Sequence, residues 1–259
     1  MEQREDRIVT NDIDSTPKTA LDRCQIKYIA IAAMIIDHIA MFMLSDGLPD
    51  APWQRIAVYA LMRVIGRLTG PIMIFFLVEG FIHTSSRKRY GTRLLAFGLI
   101  SQIPYALSHY GKLAVLDFNV VITLFLTFLM LTANEKIKDR PLKNMVVFGL
   151  IMITWCCDWG VIGPFMAWIF YKNRDDRREQ VRLYSVICAI HVISACFFLA
   201  KAGYHWYGEL WQAGVFLVIP FLYAYNGEAG KKSPFNKWIS YIIYPLHLLI
   251  FWVILYVVR

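Results

Sequence analysis

Apolar stretches close to the roughly 20 residues that a spanning helix needs recur along most of this chain. They dictate an all-α architecture, because in lipid only helices and closed barrels satisfy their own backbone groups. The stretches run over 26–44, 56–84, 90–108, 117–133, 182–200, 208–225 and 238–258. A further stretch, 144–172, is interrupted at CCDWGVIGP and leaves two short apolar pieces, read as two thin spans or a re-entrant hairpin. The expectation is a polytopic membrane helical bundle of about 9 apolar segments. A composition that is 58% hydrophobic leaves too little polar surface for a soluble globule of 259 residues.

Residues 1–24 are polar and lack an apolar core of the signal-peptide kind, so they are expected to form a disordered cytoplasmic tail. The transmembrane domain then covers 25–259, and its first segment serves as an uncleaved anchor. The five cysteines form no CxxC pair and suggest neither a disulfide framework nor a zinc site. Four of them, Cys156, Cys157, Cys188 and Cys196, lie in apolar segments and are read as buried small hydrophobes.

Charge orients the bundle. Sixteen lysines and arginines crowd the connections after the second and fourth segments, after the broken region and before the last segment. The opposite connections hold Arg55, Lys112 and Lys201. The positive-inside rule therefore puts the N-terminus inside and Arg259 outside, in a multi-pass protein of a bacterial inner or plasma membrane. Orientation and attraction to anionic lipid account for much of the net charge of +8, and nucleic acid is not needed to explain it.

Ionisable residues inside these stretches cost roughly 2.5–3.5 kcal/mol each at a helix centre, so they must face protein, water or substrate. Lys27 and His38 are eleven residues apart and share a helical face, about 16 Å from each other along the axis. Asp37 points about 100° away from His38 and needs a partner on another helix. Arg63 and Arg67, at i and i+4, repel unless an anion such as Asp37, Asp158 or a ligand sits between them. Alternatively, Arg63 snorkels to the interface while Arg67 pairs with an acid. Glu79 with His83, and Asn119 with Thr123, repeat the spacing. The plain reading makes Glu79 and His83 an internal pair, His191 a core histidine and His247 an interhelical hydrogen-bonding group.

A neutral histidine that takes a proton from an amine or hydroxyl, beside arginine or asparagine donors for an oxyanion, is the equipment of acyl transfer. No HExxH or HxxEH spacing occurs, so no metal is expected. A proton-coupled secondary transporter that uses the Asp/His/Arg cluster is the alternative, although no inverted repeat is evident.

The strings KYIAIAAMIIDHIA, LMRVIGRLTGPIMIFFLVEGFIHT, RYGTRLLAFGLISQIPY, FNVVITL, DWG at 158–160, YNGEAGKK and YIIYPLHLLI, in this order, closely resemble the TraX family. The resemblance runs from about residue 24 to residue 256. It implies N-terminal acetylation of conjugative pilin with acetyl-coenzyme A as donor. A weaker likeness reaches the acyltransferase 3 membrane superfamily, whose first helix carries an arginine, ten residues and a catalytic histidine. Here Lys27 stands in the arginine's place and His38 in the histidine's, which weakens any donor-binding role carried over to Lys27.

The expected machinery follows. His38 acts as base, and Arg63, Arg67 or Asn119 steadies the oxyanion, with Asp37 nearby. Arg87, Arg89, Arg93, Lys231 and Lys232, with Lys27, dock the acyl-coenzyme A phosphates. Glu79, His83, Gln102, Asp158, Tyr244 and His247 support the substrate or the fold. The partners are lipid, acyl-coenzyme A and an acceptor that is a peptide N-terminus, a glycan or a small molecule.

Overall fold

Capping side chains decide where most of the helices begin. In the computed structural model, which describes residues 20–113, 116–231 and 233–258, Asp22 and Gln25 form a reciprocal capping box that starts α1, Arg23–Ile39. Ser86 caps α4, Arg87–Tyr110, and Asn119 caps α5, Val120–Lys136. Asp139, Asp176 and Ser233 do the same for α6 (Arg140–Ile153), α8 (Arg177–Lys201) and α10 (Pro234–Val253). The other helices are α2, Trp53–Gly66; α3, Thr69–His83; α7, Ile162–Lys172; and the short α9, Ile219–Ala224. Among the described residues there are no strands, only two isolated bridges, Leu21 to Tyr225 and Phe118 to Cys157.

Leu21 to Cys24, assigned to the tail by the sequence, belong to the fold: Leu21 bridges Tyr225 and α1 begins at Arg23. The rest of that tail, 1–19, lies outside the described residues. Of the five free cysteines, Cys157, Cys188 and Cys196 are buried, whereas Cys156 is exposed.

Among the described residues, four stretches are long and apolar enough to cross a membrane: Arg23–Leu44, Trp53–His83, Arg177–Lys201 and Trp238–Val258. Three expected segments differ for identifiable reasons. The segment 56–84 contains a turn at Arg67–Leu68, because Pro71, which lacks an N–H, fits only in the first turn of α3. Trp206–Val218, which overlaps the expected 208–225 segment, winds as a 3₁₀ helix, longer than the three or four residues usual for that form. The broken region becomes α6 and α7, of 14 and 11 residues. At 1.5 Å per residue these rise roughly 21 and 16 Å, short of the ~30 Å hydrocarbon core.

α3 is hydrophobic on nearly every side, which places it at the centre against α1, α5 and α7. α8 and α10 lie at the perimeter and expose rows of large apolar side chains such as Ile190, Ile193, Phe197 and Phe198. So large an apolar exposure is what a lipid-facing surface requires and what a water-facing one avoids.

Candidate active site

An inner chamber and an outer vestibule adjoin inside the bundle. The inner chamber, about 410 Å³, is walled by α1, α2, the ends of α4 and α5, the Asp158–Gly160 turn, the 3₁₀ helix and α10. The outer vestibule, about 850 Å³, lies at the basic ends of α1, α4 and α10. Met73, Val121, Leu124 and Ser240 line both, so the two spaces share a wall.

Asp37 finds its partners on α2. Arg63 and Arg67 each place a guanidinium nitrogen 2.9 Å from the same oxygen, Asp37 Oδ2. Arg67 makes a hydrogen bond there, whereas Arg63 stands off the hydrogen-bond axis and contributes attraction without a directed bond. Gly66 makes the approach possible: a Cβ on it would lie 2.2 Å from Asp37 Oδ1. Both arginines stack on Trp211, at 4.1 and 4.8 Å from its ring centre, and Arg67 also lies 5.3 Å from the ring of Trp159. Arg63 therefore does not snorkel; it is 8% exposed. The cluster leaves Asp37 Oδ1 and the Nε groups of Arg63 and Arg67 without hydrogen-bond partners.

His38, on the neighbouring face of α1, lines the chamber. Its Nδ1 lies 2.8 Å from the Met34 carbonyl. A carbonyl only accepts, so Nδ1 carries the proton and Nε2 is left to take another. The same i−4 contact fixes His109 through Tyr105 O at 3.0 Å and His247 through Ile243 O at 2.8 Å. The three rings gather around His38, with centroids 4.7 Å to His247 and 6.1 Å to His109. Phe42 and Phe251 pack against this group. His109 faces the chamber, and His247, 5% exposed, stands behind His38.

The DWG turn supplies the opposite wall. Trp159 holds a left-handed conformation at φ +65°, strained for a bulky residue, and Gly160 follows at φ +36°. The turn is fixed by Phe118, whose N–H donates to Cys156 O and whose carbonyl accepts from the Asp158 N–H. Gly70 leaves room for the Trp159 ring, which a Cβ would meet at 2.1 Å. Asp158 and Tyr244 line the chamber, as does Asp117, whose Oδ2 accepts from Tyr105 at 2.8 Å and from Tyr110.

Several expected participants lie elsewhere. Asn119 does not line the chamber: its Nδ2 donates to Gly98 O and Gln102 Oε1, both at 2.8 Å, and its Oδ1 caps α5. With both amide hydrogens engaged, it has no donor left for an oxyanion. Gln102 completes that knot by donating to Asp117 O. Glu79 lies between Arg23 and His83, at 3.9 and 3.8 Å, and accepts from Tyr225.

In the vestibule, Arg23, Lys27, Arg93 and Lys231 supply positive charge, and His83 lies at its edge. Lys27 donates to Asn236 O at 3.3 Å. Arg87 is turned away onto Glu135 and the ring of Phe81, and Arg89 is exposed outside the cavity. Lys232 lies outside the described residues.

His109, Asp117, Trp159 and Trp211 were not singled out by the sequence reading. His109 and Asp117 sit at or beyond the end of an apolar stretch, where a polar residue costs little and attracts no notice. Trp159 was within reach through the DWG string, which carries an acid and a glycine in a broken apolar run.

Apolar helices exposed around a buried, polar and partly unpartnered interior define a helical membrane protein with a polar internal chamber. The profile of the family described as TraX protein matches residues 22–255, and the chain belongs to that family. It is 31% identical over 232 residues to the probable fimbrial assembly protein FimC, serogroup H1, of Dichelobacter nodosus. That match covers 86% of this chain and 91% of the relative. No solved structure matches the chain.

Proposed function

We propose that this protein is an integral membrane acyltransferase that moves an acetyl group from cytosolic acetyl-coenzyme A to the amino terminus of a pilin-like subunit. The shared wall between a basic vestibule and a histidine-lined chamber carries this reading. An anionic, phosphate-bearing donor suits Arg23, Lys27, Arg93 and Lys231. Its thioester would pass Ser240, whose hydroxyl is buried without a hydrogen-bond partner. Both volumes fall within the few hundred to about 1,000 Å³ usual for small-molecule sites. Membership of the TraX family and the fimbrial-assembly relative support the pilin-like acceptor.

In this mechanism His38 Nε2 takes the proton of the attacking nitrogen, since its Nδ1 is held by Met34. Arg67 and Arg63, with Nε groups unpartnered at the chamber, stabilise the oxyanion on the attacked carbon. Asp37 holds both guanidiniums in place. The basic loops lie on the cytoplasmic side with the N-terminus, the chain crosses a bacterial inner membrane several times, and α6 and α7 form a re-entrant hairpin that delivers the DWG turn to mid-depth.

Titration of acetyl-coenzyme A into detergent-solubilised protein should give saturable heat that weakens with added salt. Labelled acetyl should then appear on a peptide with a free amino terminus and not on its N-blocked copy. Absence of donor binding, with pH-dependent flux of a small solute in liposomes, would favour the transporter reading instead.

A further inference from the structure

From the placement of His109 we infer that it is a proton-exit relay, which carries the proton collected by His38 to the rim formed by Asp117 and Tyr110. The inference rests on the acyl-transfer reading above. An α-amino group has a pKa near 8, so at neutral pH the acceptor arrives mostly as an ammonium ion. It loses one proton before the nitrogen attacks. His38 takes that proton and gives it to the leaving sulfur as the C–N bond forms and the C–S bond breaks, and the second nitrogen proton then passes to His38. Acetyl thioester and ammonium thus give amide, thiol and one surplus proton per turnover. Unless that proton leaves the chamber, His38 starts the next cycle already protonated.

The geometry supplies one route. His109 lies 6.1 Å ring to ring from His38 and both line the same chamber, a spacing of the order that one bridging water spans. His109 also has its Nδ1 on a carbonyl, Tyr105 O at 3.0 Å, with Ser108 Oγ at 3.1 Å beside it, which leaves Nε2 to accept. Tyr105 packs tilted against its ring at 4.2 Å and donates to Asp117, which also accepts from Tyr110. Tyr110 is 44% exposed, so this group reaches the surface. The other charged or titratable groups near His109 are Arg63, which Asp37 holds, and His247, which is buried behind His38. His247 is buried and does not line the chamber, which distinguishes the two neighbours of the base.

A relay acts after the first transfer, so it separates single from repeated turnover. The protein is mixed in detergent with acetyl-coenzyme A and a peptide bearing a free amino terminus. His109→Gln should perform the first transfer within about twofold of wild type and slow steady turnover by about 10²-fold. Imidazole added to the buffer should restore turnover. Asp117→Asn should show the same split to a smaller degree, which covers the case in which His109→Gln fails to fold. Loss of the first transfer, unchanged turnover, or slow turnover that imidazole does not rescue would each overturn the relay. A wild type that transfers nothing would refute the acyltransferase reading and the relay with it.

Discussion

Replacing Gly66 by alanine tests whether the Asp37–Arg63–Arg67 cluster organises the chamber. By helix propensity alone the change should stabilise α2 by about 1 kcal/mol. The structure predicts the opposite. The new methyl would sit 2.2 Å from Asp37 Oδ1, 2.3 Å from its Cβ and 2.4 Å from its Cγ, less than any real Cβ contact allows. The carboxylate must move, and the two guanidiniums 2.9 Å away lose their anion. Overpacking costs about 1–3 kcal/mol. Uncoupling a buried charge from its partner costs about 3–5 kcal/mol more where the pair cannot re-form. Where the pair cannot re-form, the net loss is therefore of the order of 3–7 kcal/mol after the propensity gain.

The loss should appear as a clear fall in detergent melting temperature and in monodisperse yield. In an Asp37→Gly background all three of these atoms are gone and the clash is relieved, so adding Gly66→Ala should cost close to nothing. That non-additivity identifies Asp37 as the atom group in conflict. A Gly66→Ala protein as stable as wild type would refute the packing argument.

Three further outcomes follow from the same geometry. His38→Ala should leave a folded protein with transfer reduced by about 10²- to 10⁴-fold, whereas His191→Ala should transfer at the wild-type rate, read by labelled-acetyl incorporation. Replacing Arg93 and Lys231 by alanine should weaken acetyl-coenzyme A binding and flatten its salt dependence, with little effect on turnover at saturation, because both residues line the vestibule and neither lines the chamber. Asn119→Ala should lower melting temperature, since it removes a cap and leaves Gln102 short of a partner, while kcat of the surviving protein stays near wild type.

Much of this arrangement was legible in the residues. The cost of charge in lipid singled out Asp37, His38, Arg63 and Arg67, and the 100° offset between Asp37 and His38 required the acid's partner to come from another helix, as Arg63 and Arg67 do. The i and i+4 spacing of the arginines likewise demanded an anion between them. Segment counting fared less well, because hydropathy cannot tell an α-helix from a 3₁₀ helix, and Trp206–Val218 is as apolar as a span. Basic residues near the vestibule could not be sorted by sequence either. Arg87 and Arg93 share the first two turns of α4, yet one turns to Glu135 and the other to the cavity. Asn119 misled for a related reason: an asparagine at the start of an apolar helix suits a cap as well as it suits an oxyanion donor.

Stability alone does not explain why Asp37, Arg63 and Arg67 are charged. Desolvating three ions costs several kcal/mol apiece, and well-packed apolar replacements of a buried ionic cluster are often neutral or stabilising. The cluster also leaves three kinds of polar atom unpartnered, a defect that a purely structural site would be expected to have lost. The proposed function puts its value at the chamber, one residue along α1 from His38. Replacing all three together, Asp37→Leu with Arg63→Met and Arg67→Met, separates the two roles, because no lone charge is left behind. Folding, read by melting temperature and membrane yield, should stay near wild type or improve. Transfer should fall by about 10²- to 10³-fold, the usual loss when an oxyanion donor is removed. Donor binding at the vestibule, which these residues do not line, should persist. A triple variant that folds and still transfers at the wild-type rate would show that the buried ions clamp α1 to α2 and take no part in the chemistry.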